Sequence, residues 1–252
     1  MPALDRLEQW FTGIDNPRWA RSGRPRIVVV EAARHAPRAV AAYGSGSATV
    51  WVRQEGAEEP VPAGSARDVV TFHGSFLADQ GQITVPGRPH IDIRPYGVAE
   101  LADITGPTVL RITDDEDFSA FLRDADRSRA GGPFPAHLTD RRVLLADLAG
   151  LGAPAERSGP ADRLLIRPDG TVSTSPTGGR LGRVGDDPAD LERQWRGHLA
   201  GSRRPCPVCL SGVLAERDRV DALAERPWLG DYLRAVEQRR WSPPVPAGGR
   251  PG

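Results

Sequence analysis

Punctuation is the strongest constraint on this chain. Its apolar runs are brief, and most are bounded by Gly or Pro, which supply 28 and 24 of its 252 residues. Gly loosens the backbone and Pro removes a hydrogen-bond donor, so each tends to end an element near where it stands. The chain is therefore confined to short elements joined by many turns.

β-branched runs pick out the strands. RPRIVVVE predicts a buried strand over Ile27–Val30, and a second follows at residues 48–53 beyond a Gly-Ser turn. RDVVTFHG, QITV, HIDIRPYG and PTVLRIT are further strands bounded by Gly or Pro. In HIDIR, Ile91 and Ile93 alternate with His90, Asp92 and Arg94, the pattern of a half-buried strand. RLLIRPDGTVSTSP reads as a hairpin closed by a Pro-Asp-Gly turn.

Helices are set by period and caps. Residues 4–12 predict a short helix with Leu7, Trp10 and Phe11 on one side. Over 114–129, Phe118, Phe121, Leu122 and Ala125 form one apolar stripe, and Thr113 with Glu116 reads as a capping box. In DDPADLERQWRGHLAG, Asp187 is a natural N-cap and Pro188 suits the first helical position. Leu191, Trp195 and Leu199 are its buried stripe. Two more helices are expected near 213–225 and 228–238.

These elements predict an α+β fold. Residues 1–150 read as a mostly β sheet closed by helix 114–129. Residues 151–160 read as a linker, 161–241 as a small hairpin-plus-helices module, and 242–252 as a disordered tail. No apolar run approaches the roughly 20 residues of a membrane helix. The N-terminus has no apolar signal region, so a soluble cytoplasmic protein with no membrane partner is expected.

All 33 basic side chains are arginine, so Schiff-base lysines and the usual P-loop lysine are excluded. Residues 1–26 hold five Arg against three acids, 27–195 eighteen against twenty-four, and 196–252 ten against six. An acidic body with mildly basic ends lacks the concentrated basic face of a nucleic-acid binder.

Cys206 and Cys209, in GSRRPCPVCLSG, are the only cysteines and the candidate metal ligands. A structural zinc needs four ligands and an iron–sulfur cluster about four thiolates. The nearest histidine is His198. Three readings stay open: two ordinary cysteines in a turn, a metal or cluster shared across a dimer, and a redox pair. The pair follows a helix and a basic loop, unlike a thioredoxin-type motif at a helix N-terminus. His35, His73, His90, His137 and His198 show no metal-ligand spacing, although His73 and His90 on neighbouring strands with Asp92 would form a minimal site. The acids of DDED read as a helix first turn. No catalytic motif is found, and no cofactor is expected.

The stretch RPDGTVSTSPTGGRLGRVGDDPADLERQWRG with the later RRPCPVC resembles the C-terminal extension of radical SAM enzymes that mature ribosomal peptides. Those extensions run as a D-G-x-V strand, a cysteine, an L-G-x-V loop, a short helix with a Trp, and a C-x-x-C pair. Here DGTV is 169–172, LGRV is 181–184, and Trp195, Cys206 and Cys209 follow. Ser173 and Ser175 stand where a cluster cysteine would fall, and the radical SAM C-x-x-x-C-x-x-C is absent. The resemblance implies the module's shape without its cluster chemistry.

GPTVLRITDDEDFSAFLRDADRSRAGGPFPAHLTDRRVLLADLAGLG, GTVSTSPTGGRLGRVGD and PCPVCL are together similar to the daptide biosynthesis RiPP recognition proteins of actinobacteria, over roughly residues 104–212. The usual compact recognition element, three strands followed by three helices, is not found here. The resemblance implies a non-enzymatic protein that binds a precursor (leader) peptide and presents it to peptide-modifying enzymes. The expected mode is β-augmentation on an exposed sheet edge within residues 26–113. Two alternatives are a metal-dependent enzyme acting on the same peptide and a structural subunit of the modifying complex.

Overall fold

The structure is a computed structural model. It describes residues 7, 10–13, 27–44, 48–54, 69–101, 103–153, 159–160, 162–200 and 206–241. Half of the expected linker and all of the expected tail fall outside the described residues, as do the Gly-Ser turn at 45–47 and most of helix 4–12. Residues 7 and 10–12 are helical.

The chain is α+β, with two mixed sheets. The first sheet is built from β1 (Ile27–Val30), β2 (Thr49–Arg53), β3 (Val69–Phe72), β8 (Arg163–Ile166), β9 (Thr171–Ser173) and β10 (Gly182–Arg183). Its order is β10-β9-β8-β1-β2-β3, with β8, β1, β2 and β3 parallel and the β8–β9–β10 meander antiparallel. The second sheet contains β4 (Gly81–Ile83), β5 (Ile91–Pro95), β6 (Thr108–Arg111) and β7 (Val143–Leu145), in that order. Only the β4–β5 pair is antiparallel there. One bridge, His73 to Thr84, connects the edges of the two sheets. Gly74 makes it feasible: its φ is +92°, and a Cβ there would lie 2.0 Å from the Gln82 carbonyl oxygen.

Strand alternation sorts the side chains into three apolar layers. Between the sheets lie Ile27, Val29, Trp51, Phe72 and Leu165 from one and Ile83, Ile91, Ile93 and Val109 from the other, with Leu7, Trp10 and Phe11. Phe76 packs there within 5.4 Å, centroid to centroid, of Trp10, Phe11 and Phe72. The outer face of the first sheet, with Val28, Val30, Val50, Val52, Leu164 and Ile166, is covered by α1 (Ala36–Tyr43) and α4 (Pro188–Leu199). The outer face of the second, with Leu110, Val143 and Leu145, is covered by α2 (Asp115–Arg129), α3 (Ala136–Thr139) and α6 (Leu229–Trp241). Burying each large apolar side chain contributes about 1.5–3 kcal/mol, so the three layers carry the fold. A shorter helix, α5 (Glu216–Ala224), precedes α6. No helix among the described residues is long and apolar enough to cross a membrane.

Two local expectations change. The segment read as one N-terminal sheet is divided between both sheets, and β8 of the C-terminal hairpin pairs in parallel with β1. Segments on either side of 151–160 thus share one sheet. The cap of α2 moves by one residue: Asp114 is the N-cap and accepts from the Asp117 amide at 2.9 Å. Asp117, in place of Glu116, reaches back past the cap and accepts from the Thr113 amide and hydroxyl. Asp117 is buried, so it also takes the Gly97 amide at 2.7 Å and ties α2 to the 3₁₀ turn at Tyr96–Leu101. Glu116 is exposed. Asp117→Ala strands these buried donors and is expected to lower stability by about 3 kcal/mol in urea unfolding, with Glu116→Ala near neutral.

Candidate functional site

The alternation that fills the inter-sheet layer with apolar groups also puts charges into it. Glu31 follows Val29 in phase, Arg111 follows Val109, and Arg163 and Arg167 flank Leu165. Glu31 is fully buried at the carboxyl end of β1. It accepts from the Phe76 amide at 2.6 Å and the Ser75 hydroxyl at 2.8 Å, with Arg53 at 3.5 Å. Burial, the largest effect, raises its pKa above the ordinary value, and these partners only partly offset it. Arg111 donates to the carbonyls of Phe76 and Ala78. Burial lowers its pKa, against the attraction of Asp147, Asp79 and Glu31.

The densest polar contact is the ion pair Arg163–Asp147, at 3.0 Å with both side chains 2% exposed. Asp147 adopts a left-handed conformation, φ 53°, just after β7. Its other oxygen takes the Thr177 hydroxyl at 2.9 Å, and its amide donates to the Phe11 carbonyl. Arg163 also donates to the Trp10 carbonyl at 2.7 Å and reaches the Cys209 Sγ at 3.5 Å. Burial is the largest single influence on its pKa and acts downward, yet Asp147 and the two thiols together hold it above the ordinary value.

Cys206 and Cys209 are both fully buried, and neither is in a disulfide. The Cys206 amide is bonded to the Ala149 carbonyl at 2.9 Å, and the Cys209 amide points at the Cys206 Sγ at 3.4 Å. Arg219, buried on α5, donates to the carbonyls of Cys206, Pro207 and Cys209 and so fixes the loop. A hydrogen bond to Cys206, then burial, drive the Cys209 thiol pKa up. The loop bearing buried Ser173 and Ser175 lies against this one, through Gly179 to Val208 and Gly212 to Thr177.

Among the described residues, no three His, Cys, Asp or Glu side chains group as a metal site would require. His198 is exposed on α4. His73 and His90 are separated: His73 pairs with Thr84 after β4, whereas His90 precedes β5, the strand on the other side of β4. Asp92 is buried rather than on an open face, held by Gln82 at 3.0 Å. His137 is buried against Tyr96, and burial lowers its pKa. His35 faces the Pro168 carbonyl at 3.1 Å.

The sheet edges differ in what they offer. At β10, the Arg183 amide is taken by Asp186 at 2.7 Å, and its carbonyl receives Tyr43 and the Asp186 amide. The edge is capped from within. At β3, the Phe72 carbonyl faces β2, accepting from Gln54, whereas the His73 amide and carbonyl face outward to Thr84. Alternation places the amides and carbonyls of Val69 and Thr71 on that outer side. Among the described residues, nothing pairs with them there.

Arg163, Asp147, Arg219, Glu31 and the β3 edge were not singled out from sequence. The available signal was phase: a charge at an alternate position of an apolar run, as in RLLIR and IVVVE, points into a core. Comparison of the chain with protein-family models, with curated proteins and with solved structures finds no match.

Asp147→Ala leaves a buried guanidinium without its carboxylate, and should cost about 3–5 kcal/mol in denaturant unfolding. Glu31 gives a pH signature. Its folded pKa lies above the unfolded value near 4.5, so the native state keeps a proton that the unfolded chain has lost. Stability therefore falls as pH rises from 4.5 through the folded pKa, and Glu31→Gln should flatten that decline in urea titrations across the range.

Proposed function

We propose that the protein recognises a ribosomally made precursor peptide and presents it to the enzymes that modify it, the peptide docking as an added strand along β3. The observation that carries this reading is the ladder at that edge, which among the described residues stops at His73. His73 and Thr84 exchange both hydrogen bonds, 2.9 and 3.0 Å, and the chain then turns away at Pro86 and Gly87, where φ is +71°. A peptide strand antiparallel to β3 continues the same ladder past Thr71 and Val69.

Side chains on β3 suit an addition on both faces. Val69 packs against the outer layer of the first sheet and Val70 against the inter-sheet layer, each half-buried. Apolar side chains of an added strand would extend both layers, while the backbone rungs supply about 0.5–1.5 kcal/mol each. The similarity to daptide recognition proteins supplies the class of peptide.

The test is calorimetric titration of the full-length protein with the leader of a short precursor encoded beside its gene. Micromolar binding is expected, with slowed hydrogen exchange at the Val69 and Thr71 amides. N-methylation of the leader at alternate residues should weaken binding by at least about tenfold, the loss of one or two rungs. No binding at high micromolar concentration overturns the reading.

A further inference from the structure

We propose that Cys206 and Cys209 form a dithiol–disulfide couple, a redox modification site that works by exchange with a small-molecule disulfide. The inference is independent of peptide recognition. The two cysteines share one buried turn: both are fully buried, and the Cys209 amide lies 3.4 Å from the Cys206 Sγ. The Cys209 amide donates toward the Cys206 Sγ, which marks Cys206 as the attacking sulfur. The Cys209 sulfur lies 3.5 Å from the Arg163 guanidinium, which stabilises negative charge there at a later step.

The loop is built to hold this geometry. Arg219 binds three of its carbonyls, and the Ala149 carbonyl fixes the Cys206 amide. A merely space-filling turn needs neither a second buried arginine at its carbonyls nor a first one at its sulfur. Pro207 is half-buried and Ser211 and Gly212 are exposed, so the loop reaches the surface although its sulfurs do not. Reaction requires local opening.

The chemistry is balanced as follows. Cys206 loses its proton to solvent, and its thiolate attacks one sulfur of an external disulfide. A Cys206 mixed disulfide forms, and one small thiolate leaves and takes up a proton. Cys209 then loses its proton, beside Arg163, and its thiolate attacks the Cys206 sulfur. The second small thiol departs and the intraloop disulfide remains. Two protein thiols are oxidised, and one external disulfide is reduced to two thiols.

The experiment incubates the full-length protein with oxidised glutathione, then alkylates it and measures intact mass, with circular dichroism confirming the fold. Wild type is expected to lose two hydrogens, reversibly with dithiothreitol. Cys209→Ser should instead accumulate one glutathione adduct on Cys206, and Cys206→Ser should form no disulfide. The native rate should stay flat in dilute urea, as local opening requires. Two retained thiols in native protein, when the urea-unfolded chain oxidises in the same buffer, overturn the proposal. So does a folded Cys209→Ser variant without adduct, a rate that climbs with global unfolding, or a stoichiometric metal that blocks oxidation.

Discussion

Everything around the inter-sheet space depends on one buried ion pair, Arg163 with Asp147. Two charges removed from water are tolerable only if each finds its counter-charge and further hydrogen bonds. Arg163 finds Asp147, the Trp10 carbonyl and a thiol, and Asp147 finds Arg163 and Thr177. Those partners come from the N-terminal helical segment, the end of β7, the start of β8, the 173–179 loop and the cysteine loop. A single desolvated contact thus obliges five distant segments to meet in one arrangement. Apolar packing supplies most of the stabilisation, but it is non-directional and would accept several arrangements.

The contrast between the edges of the first sheet follows the same economy of polar groups. β10 satisfies its outward backbone with Asp186 and Tyr43, which closes it to other strands. β3 satisfies only His73 and leaves the next two outward positions unpaired among the described residues. An open edge with half-buried valines is a liability for aggregation unless something pairs with it. That physical asymmetry supports the proposal of peptide recognition along β3.

Much of the local structure was legible. The runs at Ile27–Val30 and Thr108–Arg111, the Pro-Asp-Gly hairpin and the Asp187–Pro188 helix start all stand where pattern and cap chemistry put them. The one-residue slip at the α2 cap reflects near-degenerate choices: Thr113, Asp114 and Asp115 are all competent caps. Asp114 wins because Asp117 must also serve the Gly97 amide, a partner distant in sequence. Asp92, on the polar side of the half-buried pattern in HIDIR, is buried for a similar reason, since β4 brings Gln82 beside it.

The candidate sites were less legible. Cys206 and Cys209 were visible as a pair, but counting ligands in sequence revealed neither Arg163 at one sulfur nor Arg219 on the loop. What the sequence by itself determined is the inventory of short strands and capped helices, because periodicity and turn chemistry act over a few residues. What only the tertiary structure decided is the division into two sheets, the insertion of β8 beside β1, the open edge at β3 and the environment of the thiols. Those depend on which buried charges and backbone groups find partners in other segments, at sequence separations running from 10 for Arg219 with Cys209 to 153 for Arg163 with Trp10, and a local pattern does not name such a partner.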